Sequence, residues 1–288
     1  MTVDLPPPTP LRPLVSTQWL ADHLGSERLV IVDASVAMTR RPDGGAVFVT
    51  GHEQYLVHGH IPGAVFADLL GPFSDPAARF PFTRPTAERF ERAASELGVG
   101  DESTVVVYDS GIGTWAARLW WLLRSFGHER VAVLDGGYTA WRAEGRPTDV
   151  GHVEPVADVR FTTRPRNELW ASKADVEDVV AGRSNASLVC GVPERDFARA
   201  HIPGSLNVPA ARLVSRDDRK FLDDATLRNE FGSAAHGRVI AYCGGGIAAT
   251  ANALALTLLG HDDVAVFDGS LNEWTADPDA PLAALDSH

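Results

Sequence analysis

One cysteine stands where a predicted strand ends and a predicted helix begins, and it is the side chain best placed for covalent chemistry. The apolar run 239–242 is typical of a buried strand, and Cys243 follows it directly. Three glycines come next, and then an Ala/Leu-rich run that predicts a helix. Glycine lets successive N–H groups turn inward, and a helix N-terminus adds partial positive charge. This setting favours the thiolate form of Cys243 and therefore predicts a nucleophile.

The loop after this cysteine would hold an anionic group through its backbone, because its side chains are uncharged. The predicted binding residues are Gly244, Gly245, Gly246, Ile247 and Ala248. The same pattern also fits a small, inert cysteine buried beside a tight strand–helix turn, since free cysteines are often buried. This stretch alone leaves both interpretations open.

The composition argues against several classes of partner. The 288 residues carry a formal net charge of -12, whereas nucleic-acid and anionic-membrane binders need a basic surface. The two cysteines, Cys190 and Cys243, are too few for a disulfide framework or a thiolate metal site. No signal peptide and no membrane-length apolar run is visible. We therefore expect no nucleic acid, membrane or metal partner, and a reducing, cytoplasmic setting.

Apolar runs and helix-forming segments alternate along the chain. The runs that predict buried strands cover 29–32, 105–109, 131–134, 187–190, 239–242 and 264–267. Two polar stretches, 39–53 and 72–85, predict loops. Strands that alternate with helices indicate parallel sheets with helices on both faces, which is an α/β fold.

The two halves of the chain repeat one another. The tetrapeptide His-Ile-Pro-Gly begins at His60 and again at His201, and Val-Tyr-Asp109 matches Ala-Tyr-Cys243. At the position of Cys243 the first half therefore has Asp109, which cannot attack as a thiolate does. The repeat predicts one working site in the second half and one scaffold copy in the first.

The repeat also predicts the domain organisation. Residues 1–14 form a Pro-rich arm, 15–147 a first domain, 148–167 a linker and 168–288 a second domain. The linker is rich in Pro, Arg and Thr and has no hydrophobic period. Cys243 belongs to the second domain.

On these motifs the chain resembles the two-domain rhodanese family, the thiosulfate and 3-mercaptopyruvate sulfurtransferases. GHIPGAVF and VAVLDGGYTAWRAEGRP are similar to the non-catalytic N-terminal domain of that family. AHIPGSLNVP, VIAYCGGGIAAT and LGHDDVAVFDGSLNEW are similar to its catalytic C-terminal domain. The resemblance extends from about Leu14 to Leu282 and implies two tandem rhodanese-like domains, each a small parallel sheet flanked by helices.

The resemblance implies an activity as well as a fold. Cys243 would take a sulfane sulfur from a small anionic donor, 3-mercaptopyruvate or thiosulfate, and become a persulfide. The N–H groups of residues 244–248 would hold the anionic sulfur. The acceptor would be a thiol, cyanide or a reduced redox protein, and no metal or organic cofactor is implied.

The chain departs from the family pattern around this cysteine. Gly245 and Ala248 stand where the mercaptopyruvate type has a hydroxyl residue and a threonine. The segment 190–192, Cys-Gly-Val, replaces the usual Asp-x-Arg. Arg195 and Arg199 are then the nearest cationic candidates to bind the donor, unless they are solvated on a helix face.

The sequence leaves two interpretations open for each of two side chains, and other functions open for the chain. His60 either binds substrate from a domain interface or closes the turn before Pro62. Cys190 either forms a disulfide with oxidised Cys243 or fills the core. The chain could also be a non-catalytic or sulfur-sensing rhodanese module. A cysteine phosphatase is a further alternative, but Cys-x5-Arg would need an arginine where Ala249 stands.

Overall fold

The computed structural model describes residues 11–40 and 46–285, and its contacts divide the chain into two units. The first unit comprises residues up to Asp75, Arg84–Pro165 and Asp217–Lys220. The second comprises Pro76–Thr83, Arg166–Arg216 and the chain from Phe221 onward. A short segment from each half is thus assigned to the unit that is built mainly from the other half.

The first unit contains a five-stranded sheet in the order β1-β7-β6-β2-β5, with every pair parallel. A separate antiparallel ribbon, β3–β4, follows β2. The strands are β1 Leu14–Val15, β2 Leu29–Asp33, β3 Val36–Arg40, β4 Ala46–Thr50, β5 Val65–Phe66, β6 Thr104–Tyr108 and β7 Val131–Leu134. The helices are α1 Thr17–His23, α2 His52–His58, α3 Ala87–Glu96, α4 Thr114–Ser125 and α5 Gly137–Ala143.

The second unit contains a five-stranded parallel sheet in the order β10-β9-β11-β12-β8. The strands are β8 Trp170–Ala171, β9 Ser187–Cys190, β10 Leu206–Asn207, β11 Val239–Tyr242 and β12 Val264–Phe267. The α-helices are α6 Lys173–Val180, α7 Glu194–Arg199, α8 Asp224–Phe231, α9 Ala248–Leu258 and α10 Ser270–Trp274. Short 3-10 turns cover Asn167–Leu169, Ala210–Arg212 and Gly232–Ala235.

The two sheets have the same topology, which confirms the predicted α/β fold and the repeat. Read from β8 to β10, the second sheet reproduces the first strand by strand. The repeat extends to single contacts, since the indoles of Trp141 and Trp274 are both fully buried. Each indole N–H donates to a proline carbonyl, Pro147 at 2.7 Å and Pro281 at 2.9 Å. The same sequence signals therefore direct the same local packing in both halves.

The central strands form where the apolar runs predict them, because they are buried on both faces. Every residue of β6, β7, β11 and β12 is buried. Side-chain caps start several helices, with Ser16, Thr86, Ser172 and Asp223 each accepting a backbone N–H. These rigid elements fix the ends of the strands, where the loops of interest begin.

Some boundaries differ from those predicted. The stretch 39–53 is not simply a loop, because β-branched and aromatic residues in Ala46–Thr50 pair with Val36–Arg40 as a ribbon. The predicted Pro-rich arm lies outside the described residues up to residue 10, and at its end Leu14 begins β1. The segment 148–165 is irregular and is assigned to the first unit, where Phe161 is buried against Phe90.

Candidate active site

Cys243 lies at the carboxyl end of the central strand of the second sheet. Strand β11 pairs with β9 on one side and β12 on the other, and Cys243 follows it directly. Its side chain is nearly buried, with 3% of the residue surface exposed. Ligand crevices of α/β sheets form at this edge.

The glycines of the loop are needed for different reasons. Gly246 has a φ of +80°, a left-handed backbone conformation that favours glycine. Gly245 has no such φ, but a Cβ there would lie 2.9 Å from Nδ2 of Asn272 and 3.5 Å from Cδ2 of Phe82. Around Gly244 the space is open. The loop conformation therefore requires Gly246, whereas crowding explains Gly245.

The start of α10 fixes the backbone of Cys243 on both sides. The N–H of Cys243 donates to Oγ of Ser270 at 3.0 Å. The N–H of Leu271 donates to the Cys243 carbonyl, and that of Asn272 to the Gly244 carbonyl, each at 3.0 Å. The position of Cys243 is therefore fixed by hydrogen bonds from its backbone to α10, in addition to the conformation of the loop.

Ser270 makes this contact from a strained backbone. It is fully buried and has a φ of +50°, which for a residue other than glycine costs about 1–2 kcal/mol. Its repeat partner in the first unit is Gly137, with a φ of +54°. The Ser270 hydroxyl also donates to the Phe267 carbonyl at 2.8 Å. A serine in place of glycine thus supplies a hydrogen bond that the first unit lacks.

Several N–H groups of the loop have no partner in the described part of the chain. Those of Gly244, Gly245, Ile247 and Ala248 donate no hydrogen bond to any described residue. Helix α9 begins at Ala248, and the first N–H groups of a helix have no intrahelical acceptor. Unpartnered N–H groups at a helix N-terminus favour an anion, and anion binding by residues 244–248 stays a prediction.

The first unit shows how such a loop binds a carboxylate. Asp109, the counterpart of Cys243, accepts N–H groups from Gly111 and Gly113 on Oδ1, and from Trp115 and Ala116 on Oδ2. The four distances lie between 2.8 and 3.0 Å, and Asp109 is buried. The strand–loop–helix of the first unit therefore forms an anion nest that its own aspartate occupies, and the same use of the loop after Cys243 stays a prediction.

Two findings concern other kinds of site. Among residues 11–40 and 46–285, no group of three or more His, Cys, Asp or Glu side chains could hold a metal ion. Within the same described part of the chain, no helix has the length and apolar character to cross a membrane.

Comparison with known families settles the relationship. A family model described as a rhodanese-like domain matches residues 16–144 and 171–277, well over half of the chain. The chain belongs to the rhodanese family. The two matched ranges correspond to the two units with the repeated sheet.

Curated relatives and solved structures of this family extend over nearly the whole chain. The 3-mercaptopyruvate sulfurtransferase of Escherichia coli K12 is 34% identical, covering 93% of this chain and 96% of the relative. The putative thiosulfate sulfurtransferase SseB of Mycobacterium tuberculosis H37Rv is 34% identical over 81% of this chain and 85% of its own length. The crystal structure of SseA from Escherichia coli has a TM-score of 0.80 at 32% identity, covering 90% of this chain and 99% of that one. This rhodanese-family chain is thus a sulfurtransferase enzyme.

The two arginines proposed for the donor lie on α7 and point into solvent. The side chains of Arg195 and Arg199 are 82% and 81% exposed, and both lie near the carboxylate of Asp196. Their exposure matches the alternative of solvated helix-face residues. Donor binding by either arginine stays a prediction.

His60 belongs to the first unit and is fully buried. Its Nδ1 lies 3.1 Å from the Tyr55 carbonyl, and its ring stacks on that of Tyr55 at a centroid distance of 4.0 Å. His201 makes the same pair of contacts with Phe197, at 2.8 and 3.8 Å. Because both copies share them, these contacts agree with a structural role before the proline turn; substrate binding by His60 stays a prediction.

Cys190 lies at the end of β9, the strand next to the one that ends before Cys243, but deep in the core. It is the register partner of Tyr242 and is fully buried. Burial raises the pKa of the Cys190 thiol to about 11. A protonated, enclosed thiol is a poor resolving nucleophile, which favours the interpretation of Cys190 as a core residue.

The position that a cysteine phosphatase would need for its arginine is Ala249, which is fully buried in the first turn of α9. No guanidinium can therefore clamp a phosphate from that position. The family assignment and this residue together leave the sulfurtransferase as the function that the site supports.

Sequence reasoning missed the contribution of α10. Ser270, Leu271 and Asn272 bind the backbone of Cys243 and Gly244, although they lie well after them in the chain. A signal was present in the repeat, because Gly136-Gly137 of the first half corresponds to Gly269-Ser270 of the second. A serine replacing a left-handed glycine marks a position where a hydroxyl is used.

Proposed function

We propose that this sulfurtransferase moves a sulfane sulfur from 3-mercaptopyruvate or thiosulfate to a thiol or cyanide through a persulfide on Cys243. The observation that carries the proposal is the run of N–H groups without partners that follows Cys243. In the described chain those of Gly244, Gly245, Ile247 and Ala248 donate to no residue, and α9 begins at Ala248. The carboxylate of Asp109 in the equivalent loop supports the same use of the backbone.

The first half-reaction forms an S–S bond and breaks a C–S bond. The thiolate of Cys243 attacks the sulfur of 3-mercaptopyruvate, and the C–S electron pair leaves with carbon as the enolate of pyruvate. That enolate takes a proton to give pyruvate. With thiosulfate, the same attack breaks the S–S bond of the donor and releases sulfite. The loop N–H groups stabilise the negative charge on the transferred sulfur.

The second half-reaction restores the enzyme. An acceptor thiolate, or cyanide, attacks the outer sulfur of the persulfide, and the electron pair of the S–S bond returns to Cys243 as thiolate. The products are an acceptor persulfide or thiocyanate. Donor and acceptor react in turn with one cysteine, so the kinetics should be ping-pong. A small thiol or a reduced redox protein could fill the acceptor role.

Between the two donors, the site favours 3-mercaptopyruvate. Thiosulfate carries two negative charges, and the loop 244–250 has no charged residue. The exposed side chains of Arg195 and Arg199 extend into solvent near Asp196. Backbone N–H groups alone suit a monoanionic donor better than a dianionic one.

Intact mass after incubation with each donor tests the proposal. We expect wild type to gain one sulfur atom with 3-mercaptopyruvate, to lose it on addition of cyanide or a thiol, and to gain less with thiosulfate. Cys243→Ser should gain none. Cys190→Ser is the matched control and should still gain the sulfur, because that thiol is buried and protonated. Loading that survives in Cys243→Ser, or no loading of wild type by either donor, would contradict the proposed reaction.

A further inference from the structure

The side chain of Asn272 occupies the space that a side chain at position 245 would need. The Gly245 backbone is compatible with any residue, since its φ is not in the left-handed region. A Cβ at 245 would nevertheless lie only 2.9 Å from Nδ2 of Asn272. Such a contact is closer than packed atoms allow, so one of the two groups must be absent or displaced. A side chain at position 245 and the side-chain amide of Asn272 would therefore compete for the same space beside the loop.

The backbone of Asn272 is fixed, but its side-chain amide has no partner among the described residues. The backbone N–H of Asn272 donates to the Gly244 carbonyl at 3.0 Å, and Trp274 anchors the same helix in the core. The Asn272 side chain lies on the exposed surface and makes no hydrogen bond with any described residue. A fixed backbone and a side-chain N–H donor without a partner are what a ligand-binding amide requires.

The loop next to this side-chain amide carries no charged residue. Residues 244–250 are all uncharged. Glu273, next to Asn272, packs its side chain against Gly269 instead. Burial, and then repulsion by Asp268, raise the pKa of the Glu273 carboxyl. A neutral amide donor here can therefore serve an anionic substrate.

We propose that Asn272 binds the sulfur donor and takes the place of the loop hydroxyl that position 245 lacks. Its Nδ2 donates a hydrogen bond to the carboxylate or keto oxygen of a 3-mercapto-2-oxo acid while Cys243 attacks the sulfur. The ring of Phe82, 3.5 Å from the same position, closes that side of the space. The inference rests on the proposed function, and it names a 2-oxo acid as the substrate class.

The first test compares two donors that differ in what Asn272 can contact. Asn272→Ala should lower kcat/KM for 3-mercaptopyruvate by roughly 10- to 100-fold, which is the loss expected for a hydrogen bond to a charged group. Loading of Cys243 from inorganic polysulfide should be unchanged, because that donor has neither a carboxylate nor a keto group. Asn229→Ala, at an exposed asparagine of α8, is the matched control. Asn272→Asp has the same shape, and its added charge should lower kcat/KM further than alanine does.

The second test uses the shared volume. Gly245→Ser alone should lower kcat/KM, because its Cβ would meet the Asn272 amide. The double variant Gly245→Ser/Asn272→Ala should be more active than Gly245→Ser, because a hydroxyl then replaces the amide in a space that has been cleared. A double variant no better than Gly245→Ser would overturn the proposal.

The outcomes separate this inference from the function on which it rests. If wild type loads no sulfur from any donor, the proposed reaction and the role of Asn272 both fail. If wild type loads and Asn272→Ala matches Asn229→Ala with 3-mercaptopyruvate, only the role of Asn272 fails. An equal loss with 3-mercaptopyruvate and polysulfide would also overturn it, since it would show a disturbed loop. Thermal unfolding of each variant confirms that the compared proteins are folded.

Discussion

At the residue scale, position 270 shows how one side chain changes the use of a repeated turn. Both copies of the turn place a left-handed residue after a glycine, Gly137 in the first unit and Ser270 in the second. A Cβ at Gly137 would lie 2.5 Å from the Asp109 carbonyl, so the first copy has no room for a side chain. In the second copy the side chain is present, and its hydroxyl accepts the Cys243 N–H. Backbone strain is retained at the point where the Cys243 backbone is held.

We predict that Ser270→Ala and Ser270→Gly both slow sulfur loading but differ in stability. Each removes the acceptor of the buried Cys243 N–H, a loss of about 1–3 kcal/mol. Only glycine also relieves the left-handed strain, so Ser270→Gly should be about 1 kcal/mol more stable than Ser270→Ala. Urea unfolding and the time course of mass gain measure the two effects. Loading at the wild-type rate by Ser270→Gly would show that the hydroxyl does not position Cys243.

At the element scale, the loop and helix that follow the central strand of the first unit form an anion nest, and the same element recurs in the second unit. In the first unit Asp109 satisfies four N–H groups with its own carboxylate. In the second unit the position holds Cys243, and the N–H groups of Gly244, Gly245, Ile247 and Ala248 have no partner in the described chain. Under the proposed function these groups hold the transferred sulfur, which makes the first unit the scaffold copy and the second the working copy.

We predict that formate rescues the stability of Asp109→Ala. That variant removes the acceptor of four buried N–H groups and should lower the free energy of unfolding by about 3–5 kcal/mol. Formate has the carboxylate that was deleted and fits the vacated space. The midpoint temperature of thermal unfolding of the variant should therefore rise with formate, and not with chloride at the same ionic strength. Wild type is the control, because its nest is already occupied. Equal effects of the two salts would argue against a nest.

The sequence was sufficient for elements that depend on local pattern and insufficient for contacts between distant ones. The run 239–242 and the glycines after Cys243 predicted the strand, the turn and the helix, because burial and φ preference are written in adjacent residues. The family resemblance, and not the local pattern, implies that the strand of Cys190 lies beside that of Cys243, and the pairing of β9 with β11 confirms it. The anchoring of Cys243 by α10 was not visible, because it depends on hydrogen bonds across the sheet edge. The exposure of Arg195 was likewise decided by packing around α7.

At the scale of the whole molecule, the same fold carries two titratable groups with opposite effects on stability. Asp33 ends β2 in the first unit, where burial raises the pKa of its carboxyl to about 6. Hydrogen bonds from Ser35 and Tyr108 lower this pKa, and repulsion by Asp109 raises it further. In Glu144 the hydrogen bond from Thr17 lowers the pKa to about 2. Asp33 therefore favours the folded state at acidic pH, and Glu144 favours it at higher pH.

We predict that wild type loses stability at Asp33 as the pH rises, and that Asp33→Asn does not. Because the folded state binds this proton more tightly than the unfolded state, the contribution is complete below pH about 4 and is lost as the pH rises through about 6. Between pH 5 and 7 the loss should be about 1 kcal/mol.

Asparagine keeps an oxygen for the Ser35 N–H, which donates to Oδ1 of Asp33 at 2.8 Å, and has no charge to bury. Urea unfolding at both pH values measures the difference. Glu144 should contribute little to it, since above pH 5 its carboxyl is ionised in the folded state and largely ionised in the unfolded chain, where its pKa is 4.5. Parallel pH profiles for the two proteins would show that Asp33 ionises in the folded protein as readily as in the unfolded chain.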